Sequence, residues 1–599
     1  MIKKHTFHVP VMGVAYTIDT PLKLAPLGIN SVIPLGDDNI LERMRKMYCE
    51  KFNITYTEIT DIGIDYRAQR ISSYLNLIQE LAEKKFEELK NVAIEKTNLI
   101  KEYISLLPDS EGIKEEFIKL TETKISRSEI REWIKERFAM GSIDVNIMTK
   151  IDKDNYRNNE KLPVEYNDAH AAFRGFAKSN LHSSIVLSAG MNPRLYAYME
   201  QFEDFYPNEK GELKKKITLK VSDFRSAIIQ GKFLAKKGIW VSEYRVESGL
   251  NCGGHAFATE GFLMGPILAE FRDKREELIE TTHQLYIQAL ETKGKTVPQT
   301  SLPIKITAQG GVGTAEEHKF LLSHYNVDSV GWGTPFLLVP EVSTVDDETL
   351  QKLIQAQEED LYLSGISPLG VAFNNLRNNA KDEEKQQGID KGKPGRVCTK
   401  RYLITNTEFT EKPICTASRQ YQQLKIADLK KQNLTEQEYK TQYESTIERS
   451  CICTGLIAPA LIVNDLKKEG ESTAVSVCPG PGLAYFSKQM KLNEMVDHIY
   501  GRTNVLNNTK RPMIFVKELD IYIQFLKNIL PKDEKEYTEK NKKRFLAFIN
   551  NLEEGISYYQ ELFTKHFKKE HLLEELDVAR KKMLQIKEEA YLSYKKALN

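Results

Sequence analysis

The feature that most constrains this chain is a rhythm in which short apolar runs alternate with helix-patterned stretches eight times over roughly the first 345 residues. "FHVPVMGVAYT", "NSVIPLG", "IDVNIMTKI", "SSIVLSAG", "KKITLKVS", "IWVSEYRV", "IKITAQGG" and "DSVGWGTPFLL" read as strands. Stretches such as "DDNILERMRKMYCEKF" and "TAEEHKFLLSHY" read as helices opened by an Asp or Thr cap. Strand and helix alternating at short spacing give a parallel sheet, and eight such units are the number that closes an α/β (β/α)8, or TIM, barrel.

Two helix-patterned insertions interrupt the rhythm, at about 65–140 and 265–295. At 599 residues the chain exceeds the roughly 250–300 at which one core stops growing, so additions to the barrel are expected. They lie beyond residue 345: an irregular and helical, cysteine-bearing region at 346–516, then a helical segment at 517–599. Within the first, "NNAKDEEKQQGIDKGKPGR", about 378–396, is polar and charged enough to read as an exposed loop.

A formal net charge of +1 gives no field to attract nucleic acid or an anionic membrane. No apolar run approaches the roughly 20 residues that span a bilayer, and "MIKKHTFHVPVMG" leads into strand-like alternation rather than a signal-peptide core, so a cytoplasmic location is expected. Seven cysteines spread over this length argue for reduced thiols or a metal site rather than a disulfide framework.

Barrel active sites lie at the carboxyl ends of the strands, and three glycine groups fall there. "VESGLNCGGHAFATEG" places Gly253, Gly254 and His255 after the sixth strand, where bare backbone can approach a flat ligand and an imidazole can move a proton. "TAQGGVGTAEE" places Gly310, Gly311 and Gly313 after the seventh strand, and "SVGWGTPF" places Gly331, Gly333 and Thr334 after the eighth. Loops after strands seven and eight, beside a helix N-terminus, form the recurrent phosphate site of such barrels. A phosphorylated cofactor is implied, and no dinucleotide turn follows the first strand.

Taken in order, "HVPVMG", "DVNIM", "NCGGH", "TAQGGVG" and "VGWGTPFLLVPE" resemble the motifs of the nitronate monooxygenase and 2-nitropropane dioxygenase-like flavoproteins, a family that also holds FMN-dependent enoyl reductases. The resemblance covers about residues 5–345. It implies FMN, lined by Met12, Gly13 and Asn146, with its phosphate on Gly310, Gly311, Gly331, Gly333 and Thr334 and with His255 beside the ring as base. The chain departs from the family at Asn251 and Cys252, where Glu-Ala is usual, and at Pro335, where Arg is usual. Lys220, closing the fifth strand, is placed to stabilise negative charge on a reduced flavin.

Among the later cysteines, Cys398, Cys415, Cys451, Cys453 and Cys478, the spacings match no cluster pattern. Packing is the preferred reading; an iron–sulfur cluster on Cys415, Cys451, Cys453 and Cys478 is the alternative. The function expected is an FMN-dependent, nitronate monooxygenase-like oxidoreductase acting on a small-molecule substrate, with NAD(P)H or oxygen as redox partner and a homo-oligomer as one assembly. A second reading is an FMN-dependent enoyl-thioester reductase using NAD(P)H. A third makes the barrel a non-catalytic scaffold for helical interaction modules.

Overall fold

A computed structural model describes residues 4–91, 98–108, 111–122, 126–149, 151–247, 249–250, 253–256, 260–507, 510–530 and 538–598. Asn251 and Cys252 lie outside the described residues. Eight parallel strands close a barrel in chain order: β1 (Phe7–Val9), β2 (Asn30–Pro34), β3 (Ile143–Asn146), β4 (Ser184–Leu187), β5 (Lys216–Val221), β6 (Val241–Glu247), β7 (Lys305–Gln309) and β8 (Ser329–Gly331). Pairing of Phe7 with Val330 closes the ring, while His8 faces Asn30 across the other edge of β1. Every strand expected from the sequence is present.

Period-two alternation decides what each strand turns inward. In β6, Tyr244 and Val246 are fully buried and pack outward against the helices, whereas Glu243, Arg245 and Glu247 point to the barrel axis. The interior is therefore polar. Arg245 Nε donates to Glu243 Oε1 at 2.8 Å and Thr307 Oγ1 donates to the same oxygen at 2.6 Å. Burial alone would raise the Glu243 carboxyl, but Arg245 and His8 outweigh it and hold it down at about 2.

The first insertion forms helices Tyr66–Asn91, Asn98–Leu106, Glu111–Glu122 and Arg127–Arg137, with their own small core around Tyr103, Phe117 and Phe138. The second does not stand apart. Met264–Asp273 and Arg275–Thr292 form the crossover between β6 and β7 and pack against β6 and helix Phe224–Ala235, so this stretch is part of the barrel's outer ring. The stretch read as an exposed loop is also corrected. Ala380–Asp390 is a helix, because the Asn379 side chain accepts from the N–H groups of Lys381 and Asp382 and acidic residues follow in the first turn.

Residues beyond 345 share one continuous core with the barrel, from Phe7 to Tyr594. A hairpin of Leu361–Ser364 and Phe373–Leu376 and the helix Ile452–Val463 lie over the carboxyl ends of the strands. By composition the segment Glu436–Val463 holds a window, of mean hydropathy 1.5, long and apolar enough to cross a membrane, which the sequence expectation did not foresee. In the fold 56% of that window is buried, and its apolar face roofs the barrel.

Candidate active site

The barrel mouth opens into a cavity of about 970 Å³. Met12, Gly13, Asn146, Lys220, Gly253, Gly254 and His255, all expected from the sequence, line it together. They come from the ends of β1, β3, β5 and β6. Asn146 closes β3 and its Oδ1 accepts from the Met148 N–H at 3.0 Å, which orients the amide. Lys220 Nζ donates to Glu247 Oε2 at 3.0 Å, and Gln309 Nε2 donates to Glu247 Oε1 at 2.9 Å. The cavity floor is thus a paired row of Lys220, Glu247, Arg245 and Gln309.

His255 stands at the mouth. Its Nε2 hydrogen-bonds with Ser367 Oγ at 2.7 Å, and its ring meets Phe373 edge-on with centroids 5.0 Å apart. The backbone around it is stitched to the roof. Asn374 N–H donates to the Gly254 carbonyl at 2.8 Å and Ala256 N–H donates to the Ala372 carbonyl at 2.9 Å. Gly253 has φ +120°, and a Cβ there would lie 1.8 Å from the Cys478 carbonyl oxygen, so only glycine allows this approach. Phe373, Ile452, Leu456 and Ile457 make the apolar part of the roof.

The second half of the expected site does not join the first. Gly311, Gly313, Gly331, Gly333 and Thr334 line a separate recess of about 20 Å³, room for about one water molecule. Gly310 turns the chain after β7 with φ +111° and faces neither space. The recess is filled from within the chain. A Cβ on Gly311 would come 2.6 Å from Leu250, and one on Gly313 would come 2.5 Å from Arg511 Nε. Gly480 N–H donates to Thr334 Oγ1 at 3.0 Å. The main cavity thus has room for a ring of flavin size, while the recess expected to take the phosphate is occupied by Leu250 and Arg511.

The cysteines divide in the same way. Cys398 and Cys415 share a side-chain hydrogen bond. That bond from Cys415, with the Arg401 backbone, outweighs burial and holds the Cys398 thiol down at about 6. Cys453 is near both and its thiol is pushed up by burial. Cys478 lies against Gly254, where burial raises its thiol to about 12. Among the described residues no group of three or more His, Cys, Asp or Glu side chains is placed to hold a metal ion, so Cys415, Cys451, Cys453 and Cys478 do not make a ligand set.

Sequence reading missed the floor residues Arg245, Glu247 and Gln309. For the first two the signal was present in "VSEYRVE", where Glu243, Arg245 and Glu247 alternate with the apolar Tyr244 and Val246 and so share one face. The roof residues carried no such signal, since their meeting with β6 spans more than a hundred residues of chain.

No family model matches the chain, and no curated protein matches it. Among solved structures it is similar to the enoyl reductase domain of MlnA from the macrolactin biosynthesis cluster from Bacillus amyloliquefaciens, with TM-score 0.39 and 11% identity over 84% of this chain and 97% of that one. It is also similar to FabK from Thermotoga maritima, with TM-score 0.34 and 11% identity over 87% and 95%. A mutant of the same FabK gives TM-score 0.30 and 9% identity over 66% and 82%. The fold rests on the closed strand order of this chain itself, not on these distant likenesses.

Proposed function

We propose that the chain is an oxidoreductase that works in the mouth of its barrel on a small organic substrate, with the ring of a flavin as its redox group. The observation that supports this is convergence: seven residues at the ends of four strands line one cavity of about 970 Å³. Met12, Gly13 and Asn146 would hold the ring from one side, with Gly253 and Gly254 on another. A bound flavin supplies two-electron oxidation and reduction.

The chain's own groups do the rest. Lys220, fixed by Glu247, supplies positive charge at the floor, where negative charge developing on a ligand is stabilised without reorganisation. His255, held by Ser367 and Phe373, is positioned to take a proton from substrate or give one to it. The roof of Phe373, Ile452, Leu456 and Ile457 presents an apolar surface to the space beneath.

Nitronate oxidation with oxygen as acceptor is the finer reading. Enoyl-thioester reduction with NAD(P)H is the second, and the apolar roof favours it because a hydrocarbon chain needs such a surface. The test is absorbance of the purified protein after incubation with flavin, followed by anaerobic mixing with NADPH or NADH and turnover on nitronates and enoyl thioesters. Flavin uptake is expected. A protein that takes up no flavin would sink this proposal and leave the scaffold reading.

A further inference from the structure

The seat that a glycine-rich loop and a helix N-terminus offer to a phosphate is taken here by an ion pair of the chain itself. Helix α1 (Ala315–His324) follows β7, and Thr314 caps it by accepting from the Glu317 N–H at 3.1 Å. Glu317, 4% exposed, turns its carboxylate back to the start of the helix. Gly313 N–H donates to its Oε2 at 2.9 Å and Ile514 N–H donates to its Oε1 at 2.8 Å. A carboxylate in the first turn is the charge the helix dipole favours, so the demand for an anion at this end is already met.

Arg511 closes the seat. Its Nη1 donates to Glu317 Oε1 at 2.7 Å and its Nη2 donates to the Gly311 carbonyl at 2.7 Å, so the guanidinium spans the loop that a phosphate would enter. From the other side, His498 Nε2 lies 2.9 Å from the Gly313 carbonyl and the Gly480 N–H is bonded to Thr334. A phosphate dianion entering this space would have to displace a buried arginine and lie against a buried carboxylate. Both cost free energy.

We infer that Glu317 and Arg511 are specificity-determining residues that close the barrel's phosphate seat, so that the main cavity takes a planar ligand without a terminal phosphate and holds riboflavin at least as well as FMN. This rests on the proposed flavin chemistry for the ligand's identity, but the closed seat stands on the contacts alone.

Fluorescence titration of the full chain with riboflavin, lumiflavin and FMN tests the selectivity. FMN is expected to bind no more tightly than riboflavin; FMN binding tighter by about tenfold or more would overturn the inference. A Glu317→Ala, Arg511→Ala double variant removes both charges together and leaves neither buried alone. Its preference should move toward FMN by about tenfold, and an unchanged ratio in a folded double variant would count against the inference. If that variant does not fold, the wild-type ratio decides.

A second measurement needs no flavin: the melting temperature with inorganic phosphate against chloride at matched ionic strength. The wild type should not respond and the double variant should gain stability. An equal gain in both would show the seat to be open. Failure of every flavin to bind would sink the proposed function, while the phosphate measurement would still decide the closed seat.

Discussion

Arg511 and Glu317 meet at 2.7 Å across 194 residues of sequence, with side chains only 7% and 5% exposed. The contact ties the C-terminal region to the first turn of a barrel helix. A buried pair of this kind contributes little net stability when both partners are present, yet losing one leaves an uncompensated charge. Arg511→Ala alone should therefore cost about 3–5 kcal/mol, and the Glu317→Ala, Arg511→Ala double variant less than the sum of the two single changes. Urea unfolding measures it. A single-variant loss below about 1 kcal/mol, the range of exposed pairs, would mean that water reaches the contact.

Acid should destabilise the fold through its buried histidines. His8 is pushed down to about 3 by burial and by Arg245, and burial takes His5 and His318 to about 4. Each binds a proton in the unfolded chain below about 6.5 but not in the folded one until far lower. Stability is therefore full above pH 6.5 and falls as pH drops toward 3, while Glu243, held at about 2, stays ionised throughout. His8→Asn should shrink the loss between pH 7.5 and 4.5 by about 3 kcal/mol. Denaturant midpoints at the two pH values check this, and an unchanged loss would clear His8.

Much of this was legible in sequence, and the reason is local. Strands such as Val241–Glu247 announce themselves by alternation, and Thr314 marks a helix start by its own chemistry. Asn379 carried the same cap signal, hidden because the run after it is polar and reads as loop. Gly311 and Gly313 sit where the sequence placed them, after β7 and before a helix. What could not be read is that Arg511 and Gly480 fill the space they face, because nothing local encodes a partner so distant in the chain.

Cys398 should be the most reactive of the described thiols. The hydrogen bond from Cys415 stabilises its thiolate, whereas Cys415, Cys453 and Cys478 are pushed up. Iodoacetamide at neutral pH, followed by peptide mapping, should label Cys398 first. Cys415→Val should slow that labelling by returning Cys398 toward an ordinary thiol. Labelling led by Cys453 would contradict this geometry.

His255→Ala should retain whatever ring ligand the cavity binds, since the floor and strand-one residues remain, and should lower turnover by about 10²–10⁴-fold. Ser367→Ala, which removes the hydrogen bond to the imidazole together with the one that the Leu369 N–H donates to the same oxygen, should lower it less. Ligand content must be measured beside the rate. Equal turnover at equal loading would make His255 a roof contact and nothing more.

Gly253 and Gly254 are adjacent, both at positive φ, and should respond differently to alanine. At Gly253 a methyl would fall 1.8 Å from the Cys478 carbonyl oxygen, which is backbone and cannot swing aside. At Gly254 nothing lies within 4 Å, so alanine there meets only the strain of φ +79°. Gly254→Ala should cost about 1–2 kcal/mol. Gly253→Ala should cost more and lift the segment at Cys478–Pro479 away from the barrel, because its bridge to Gly253 is lost. Urea unfolding gives the two costs, and proteolysis reports the lifted segment. Equal costs, with the segment protected in both, would show that the close approach of Gly253 to Cys478 does not hold the roof on the barrel.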